Sequence, residues 1–352
     1  MKKINKIQRA ITFICAFMLF AVVASAQYSS RSASNPYPDK PLIAPIGERI
    51  GKYITVNESA KGPSIDAGKG YRLQELGKGL YMITDNIYQS MFMVYENGVV
   101  VVDAPPIYAT RITKAIAEIT KKPITHIIYS HAHIDHIGGA KTLNPNKGTI
   151  IIAQEETKRL LERANDMNRP IPTLTFKDNY ILKVGSNILE LSYHGNAHEP
   201  GNIFIYAPKQ KTLMVADIIF PGWMPWRRFA LAQDIPAYFI QVEEINKLKW
   251  DILVSGHVER TGTHADVALQ LEFMNDLKNI ARQALANTKP GQGLDPADTK
   301  NPWAIFDNYI DRVVIQCVNA LTPRWSSKLA GFDVYIWDQC YAMEQSLRID
   351  EQ

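Results

Sequence analysis

Residues 130–139 read SHAHIDHIGG, so three of the chain's eight histidines, His131, His133 and His136, fall within six positions with Asp135 among them. Ionisable side chains this crowded are costly to bury unpaired, and they require water, a carboxylate network or a metal ion as partner. Imidazole and carboxylate together suit zinc and its first-row neighbours. In an extended chain His131 and His133 point the same way, whereas Asp135 and His136 share a side only if the backbone turns. Gly138-Gly139 then permits a tight approach. Three more candidates stand at comparable places: His198 in GNAHEPGN, Asp217 ending LMVAD and His257 ending VSGH. Each follows or ends an expected strand, where function usually sits on a layered α/β frame. Five histidines and two aspartates suffice for two ions with one carboxylate between them. His194, four positions before His198, is expected to support the ligands or line the pocket. His264 reads as the start of a long helix and His126 as a packing residue.

The elements that must position these groups come in two similar rounds. GLYMITD, QSMFMVYEN and GVVVVDAPP are short strand candidates separated by Asn and Gly turns. Residues 109–122 place Ile112, Ala115, Ile116 and Ile119 at helical spacing. A β-run from Thr125 to Tyr129 ends where the histidines begin, TIIIAQ is another strand, and EETKRLLERAND is a helix. The second round has strand pairs in NYILKVGSNILELSYHG and GNIFIYAPKQKTLMVAD, a helix in IPAYFIQVEEINKLK and a strand in DILVSGH. This order predicts a layered α/β architecture with sheets inside and helices outside. A long helix from His264 and two helical runs near 303–320 and 333–348 form a C-terminal extension, read as a cover for the site or a homo-oligomer surface. The expected division is a leader over 1–26, an extended arm over 27–66, the main domain over 67–264 and the helical extension over 265–352.

The leader is read from Lys2, Lys3, Lys6 and Arg9 ahead of an apolar run that ends in Ala24-Ser25-Ala26. That is the form of a secretory signal, so the chain is expected to be secreted or periplasmic, with no stable membrane insertion after cleavage near Gln27. Those four basic residues account for the whole formal charge of +4. A neutral remainder gives no support for nucleic-acid binding. Cys317 and Cys340 remain; in an oxidising compartment they pair, and as buried free thiols they do not.

SHAHIDHIGG resembles the HxHxDH signature of the metallo-β-lactamase fold superfamily, and His198, Asp217 and His257 follow in that family's order across roughly residues 70–262. The resemblance implies an αββα four-layer sandwich and a hydrolase with two Zn²⁺, other first-row metals being alternatives. It implies that His131, His133 and His198 hold one ion, that Asp135, His136 and His257 hold the other, and that Asp217 bridges them. Asp135 would also orient the attacking hydroxide. The expected activity is opening of an ester, lactone or β-lactam carbonyl in a small apolar substrate, with phosphotriester hydrolysis or a non-catalytic metal-binding interaction role as alternatives. Two departures matter. The zinc β-lactamases commonly carry Cys or Ser where this chain has Asp217. Lactonases of the family carry a tyrosine where this chain has Phe220. In the following loop, IIFPGWMPWRRFALAQD, Phe220, Trp223 and Trp226 read as an aromatic wall and Arg227 or Arg228 as a partner for a substrate anion. A loop packed on the core is the other reading.

Overall fold

The segment GVVVV, Gly98–Val102, is buried at every position. Side chains alternate along a strand, and here Val99 and Val101 enter one hydrophobic core while Val100 and Val102 enter another. Such a run belongs in the middle of layers rather than at a wet face. In the computed structural model, which describes residues 41–48, 51–143 and 148–351, it is the fourth strand of a seven-stranded sheet. The expected leader lies outside the described residues.

The first sheet contains β1 (Arg72–Gly77), β2 (Leu80–Thr84), β3 (Gln89–Tyr95), β4 (Gly98–Val102), β5 (Ile124–Ile128), β6 (Ile150–Gln154) and β7 (Leu174–Phe176), in chain order. Its first three pairings are antiparallel and its last three parallel. The second sheet runs β12-β11-β10-β9-β8, from β8 (Asn179–Val184), β9 (Asn187–Tyr193), β10 (Ile203–Ala207), β11 (Thr212–Val215) and β12 (Ile252–Val254). One core lies between the sheets, where Val100, Val102 and Ile128 meet Leu189, Ile203, Ile205 and Met214. The other lies outside the first sheet, under helix α1 (Ala109–Ile119) through Ile112, Ala115 and Ile116. The layered α/β sandwich is therefore as expected. The strands β1 and β7 are additions to the sequence reading; β1 joins β2 through Lys78-Gly79, both with positive φ, a tight hairpin connection.

The remaining helices are the short α2 (Ile134–Ile137) and α3 (Ala140–Leu143), then α4 (Glu155–Ala164), α5 (Ile235–Lys247), α6 (His264–Asn287), α7 (Pro302–Trp325) and α8 (Phe332–Ile349). Residues 288–312 group apart from the larger unit, which comprises 41–287 and 313–352. Within that larger unit α8 packs on α6, and Cys317 is bonded to Cys340 with 6.0 Å between their Cα atoms. The described part of the N-terminal arm runs along the same helices: Trp337 Nε1 donates to Ile43 O and Ile54 N to Asp333 Oδ2. Among the described residues no helix is long and apolar enough to cross a membrane.

The loop after Asp217 departs from any sequence expectation. Arg228, Phe229, Ala230 and Leu231 have φ of 50°, 54°, 56° and 57°, a left-handed turn built without glycine. Each such residue costs roughly 1–2 kcal/mol, which is why runs of them are rare. Phe229 offsets part of this by full burial against Tyr238 and Phe239.

Candidate metal centre

The seven candidate residues converge at one edge of the two sheets because each leaves a strand end there. His131 follows β5, Asp217 follows β11 and His257 follows β12, while His198 lies in the connection from β9 to β10. His133 has extended backbone and stands before α2, so the chain turns helical at Ile134 and brings Asp135 and His136 back toward the same volume. Gly139 makes the turn possible, since a Cβ there would meet Ala109 Cβ at 2.4 Å and Ala104 O at 2.9 Å. Asp217 has φ of 64°, a left-handed setting that aspartate tolerates better than most residues.

Two groups of side chains result. His131, His133, His198 and Asp217 form the first and Asp135, His136 and His257 the second; within each, the potential ligand atoms lie within 4.8 Å of one another. Asp217 stands between them. Its Oδ2 is 3.4 Å from His131 Nε2, 3.1 Å from His198 Nε2 and 3.2 Å from His136 Nε2. Its Oδ1 is 2.9 Å from His257 Nε2. Asp135 Oδ2 is 3.8 Å from His136 Nε2 and 3.6 Å from His257 Nε2.

A self-satisfied polar network fits this arrangement poorly. His131 Nε2 and Asp217 Oδ1 are buried and meet no partner in hydrogen-bond geometry, although Asp217 Oδ1 lies only 2.9 Å from His257 Nε2. Imidazole nitrogens also face each other at 3.0 Å, His133 with His198 and His136 with His257. Nitrogen and oxygen lone pairs converging on a small volume are what a first-row divalent cation requires, so the residues fit a metal. Burial drives the His131 imidazole well below its ordinary pKa and takes His133 down to about 4, keeping both neutral at pH 7. For Asp217 burial pushes the carboxyl up, but the imidazoles of His136, His257 and His198 outweigh it and hold the group well below the usual carboxylate range.

Three supporting residues escaped the sequence reading. Asp103, also at positive φ, follows β4; its Oδ1 accepts from Ser130 N at 2.8 Å and its Oδ2 lies 3.6 Å from His136 Nδ1. Glu199 accepts from Ala132 N through Oε2 and puts Oε1 3.3 Å from His133 Nε2. Each was legible by the rule that found Asp217, an acidic residue at or near a strand exit. Tyr88 has no such signal, yet its ring stands 4.9 Å from that of His257.

The metal-ligand candidates open onto a cavity of about 500 Å³ lined by His133, Asp135, His198, Asp217 and His257, with Tyr88, Ile87, Ile134, Trp226, Ala230 and Leu231. The loop expected to supply an aromatic wall divides. Trp226 lines the cavity and is 43% exposed. Phe220 is buried and lies parallel to the His257 ring at 6.2 Å. Trp223 is not brought to the cavity; its Nε1 donates to Ala60 O and its ring packs over Gly331. Arg227 turns instead to the buried Asp338, at 3.7 Å, and Arg228 to the same carboxylate at 3.9 Å. His194 also lies elsewhere. It bonds Ser192 Oγ, pairs with Glu244 at 3.0 Å, stacks on Phe204 and lines a different cavity with Trp250. The cause is register: Ser192 is paired with Phe204 in the second sheet, so the chain reaches the ligand edge only at His198. His264, stacked on Trp250, is likewise outside the cluster.

Comparison with known proteins agrees with this geometry. The family profile described as Metallo-beta-lactamase superfamily matches residues 84–279, more than half of the chain. The alpha subunit of 2,4-dinitroanisole O-demethylase from Nocardioides sp. (strain JS1661) is 26% identical over 194 residues, 51% of this chain and 56% of that one. The type 2 metallo-beta-lactamase of Bacillus cereus is 30% identical over 153 residues, 40% of this chain and 57% of that one. The chain thus spans little more than half the length of either relative. The solved metallo-beta-lactamase from Pontibacter korlensis superposes with a TM-score of 0.50 at 17% identity, covering 57% of this chain and 97% of that one, a likeness of fold. With its two sheets, its strand-exit histidines and aspartates and a profile match that spans them, the chain belongs to the metallo-beta-lactamase superfamily, whose members are typically metal-dependent hydrolases.

Proposed function

We propose that the protein is a dinuclear metal-dependent hydrolase, zinc being the first choice of metal, that opens the carbonyl bond of an uncharged, apolar ester or lactone. His131, His133 and His198 would hold one ion, Asp135, His136 and His257 the other, and Asp217 would be shared. Bound ions of this class supply Lewis acidity at a carbonyl and bring the ionisation of water into the neutral range. The observation that carries the substrate reading is the cavity rim: Ile87, Ile134, Trp226 and Leu231 are exposed beside five of the seven ligand candidates. Among the described lining residues none is Lys or Arg, so a substrate carboxylate of the kind β-lactam antibiotics carry finds no cationic side chain there.

The chain's own groups fill the remaining roles. Asp135, with its side chain 39% exposed, lies where donor set and cavity meet and can accept a proton at Oδ2. Burial, then the carboxylates of Asp135, Asp85 and Asp217, push the Tyr88 phenol up, so it stays protonated and can donate to a substrate oxygen. Tyr88 would thereby replace the donor that Phe220 cannot be. A second reading, cleavage of an activated aryl ether, draws on the O-demethylase relative, whose named substrate is likewise uncharged and aromatic. Export to an oxidising compartment is part of the proposal and is supported by the Cys317–Cys340 bond.

The test is a panel run with metal-loaded protein: an aryl ester, a lactone, a chromogenic cephalosporin, a phosphotriester and dinitroanisole. Ester or lactone turnover abolished by chelation is expected. Turnover of the phosphotriester or the cephalosporin alone would refute the proposed substrate class. On the active substrate Trp226→Ala should raise KM about tenfold, the loss expected for one apolar contact, and leave metal content alone. An equal loss of kcat and metal would refute the contact role. Asp103→Asn keeps the acceptor for Ser130 N but removes the charge facing His136 Nδ1. Chelator competition should then show metal affinity about 10- to 100-fold lower, and unchanged affinity would remove Asp103 from the support of the site.

A further inference from the structure

The left-handed turn over Arg228–Leu231 forms one wall of the metal cavity, with Trp226, Ala230 and Leu231 as its lining residues. A strained backbone of this kind persists only when its surroundings over-determine it. Among the turn's own hydrogen bonds, Ala230 N donates to Trp226 O and Ala232 N is shared between Arg228 O and Phe229 O. What holds it from outside is Gln339. This residue is fully buried in α8, beyond the stretch that matches the family profile. Its Oε1 accepts from Phe229 N at 2.9 Å, and its Nε2 donates to Pro225 O at 2.6 Å and Trp226 O at 3.2 Å. One side chain thus satisfies three backbone groups on both sides of the Trp226 side chain. The neighbouring Asp338 faces Arg227 and Arg228 and so fixes the outer side of the same turn. Beyond the turn, Gln233 N donates to Ala197 O at 2.8 Å and to His198 O at 3.3 Å, joining the wall to the loop that carries a metal-ligand candidate.

We propose that Gln339 is a positioning residue for substrate: by clamping residues 225, 226 and 229 it holds the strained wall in the shape that admits the apolar part of the substrate. The inference rests on the reading that substrate occupies the metal cavity. The extension after residue 264 then does more than cover the fold, since it sets how the cavity accepts substrates while the family core supplies the ligands. Gln339 touches neither metal-ligand candidates nor cavity, so its removal should act on KM and leave kcat and metal content in place.

The experiment uses full-length, metal-loaded protein and the variant Gln339→Met, which keeps the length of the side chain and removes all three hydrogen bonds. Amide hydrogen exchange of the peptide spanning 225–233 should quicken at least tenfold, KM for the best aryl ester or lactone should rise at least tenfold, and kcat should stay within threefold. Adding Arg228→Gly should recover much of both losses, because glycine accepts the left-handed setting without a Cβ clash and Arg228 does not line the cavity. A merely structural role for Gln339 would not be rescued in this way. If Gln339→Met does not accumulate folded, Gln339→Asn withdraws the amide by one methylene and should show the same two changes in smaller measure. Unchanged exchange and unchanged KM would overturn the clamp, as would a fall in kcat and metal content at constant KM. Wild-type inactivity on every substrate overturns the proposed function and with it the substrate half of the inference. Unchanged exchange in the variant of an active enzyme overturns the clamp alone.

Discussion

Asp217→Asn should lower kcat/KM by a thousandfold or more, about 4 kcal/mol of transition-state stabilisation, while the far-ultraviolet circular dichroism stays that of the wild type. The expectation follows from the position of one carboxylate. Both of its oxygens face imidazoles, Oδ2 toward His131, His136 and His198 and Oδ1 toward His257, so this one side chain reaches into both ligand groups. Asparagine preserves the shape and tolerates the left-handed backbone at this position, but it removes the negative charge and turns a donor toward the surrounding imidazoles. Elemental analysis should show the metal content falling below that of the wild type. Near-normal turnover at full metal content would remove Asp217 from the centre of the site and leave the two groups to act separately.

The second large effect concerns stability. Cys317 and Cys340 are 23 positions apart in sequence and join α7 to α8. Closing a loop of that length restricts the unfolded chain by about 3 kcal/mol. The double variant Cys317→Ser, Cys340→Ser should therefore melt roughly 4–5 °C lower than the oxidised wild type. The reducing agent that lowers the wild-type Tm should leave the variant's unchanged. Equal melting of the two proteins would mean the bond carries no net stabilisation. Because Cys340 adjoins Gln339, the same variant should show a modest rise in KM with metal content intact.

What the sequence discloses and what it withholds divide along a physical line. GVVVV and TIIIAQ read as strands because each is a short run of β-branched apolar residues, and both are strands of the first sheet. His131, His133, Asp135 and His136 are legible because one short turn carries them all. Asp217 and His257 are legible because a polar residue straight after an apolar strand stands at the sheet edge. Asp103 meets the same rule, but the following Ala104-Pro105-Pro106 makes it read as the start of a turn. His194 was misplaced for lack of register: four positions are few in sequence, but the bend at Gly195, where φ is 89°, separates it from His198. The turn over Arg228–Leu231 leaves no trace in RRFAL, which has neither glycine nor asparagine to mark positive φ. A side chain that bonds it from outside, Gln339, lies more than a hundred positions on, and a sequence pattern read locally carries no information about it.

The provenance of the seven candidate ligands also bears on how the molecule is assembled. Four come from the segment after β5 in the first sheet, and His198, Asp217 and His257 come from connections of the second. Neither group of atoms can be completed by one sheet alone. A chain still being synthesised has no full donor set until residue 257 has emerged and both sheets have docked, and such long-range closure comes late in folding. A bound ion would then act as a check on correct docking, because layers displaced from each other would part the two halves of each donor group.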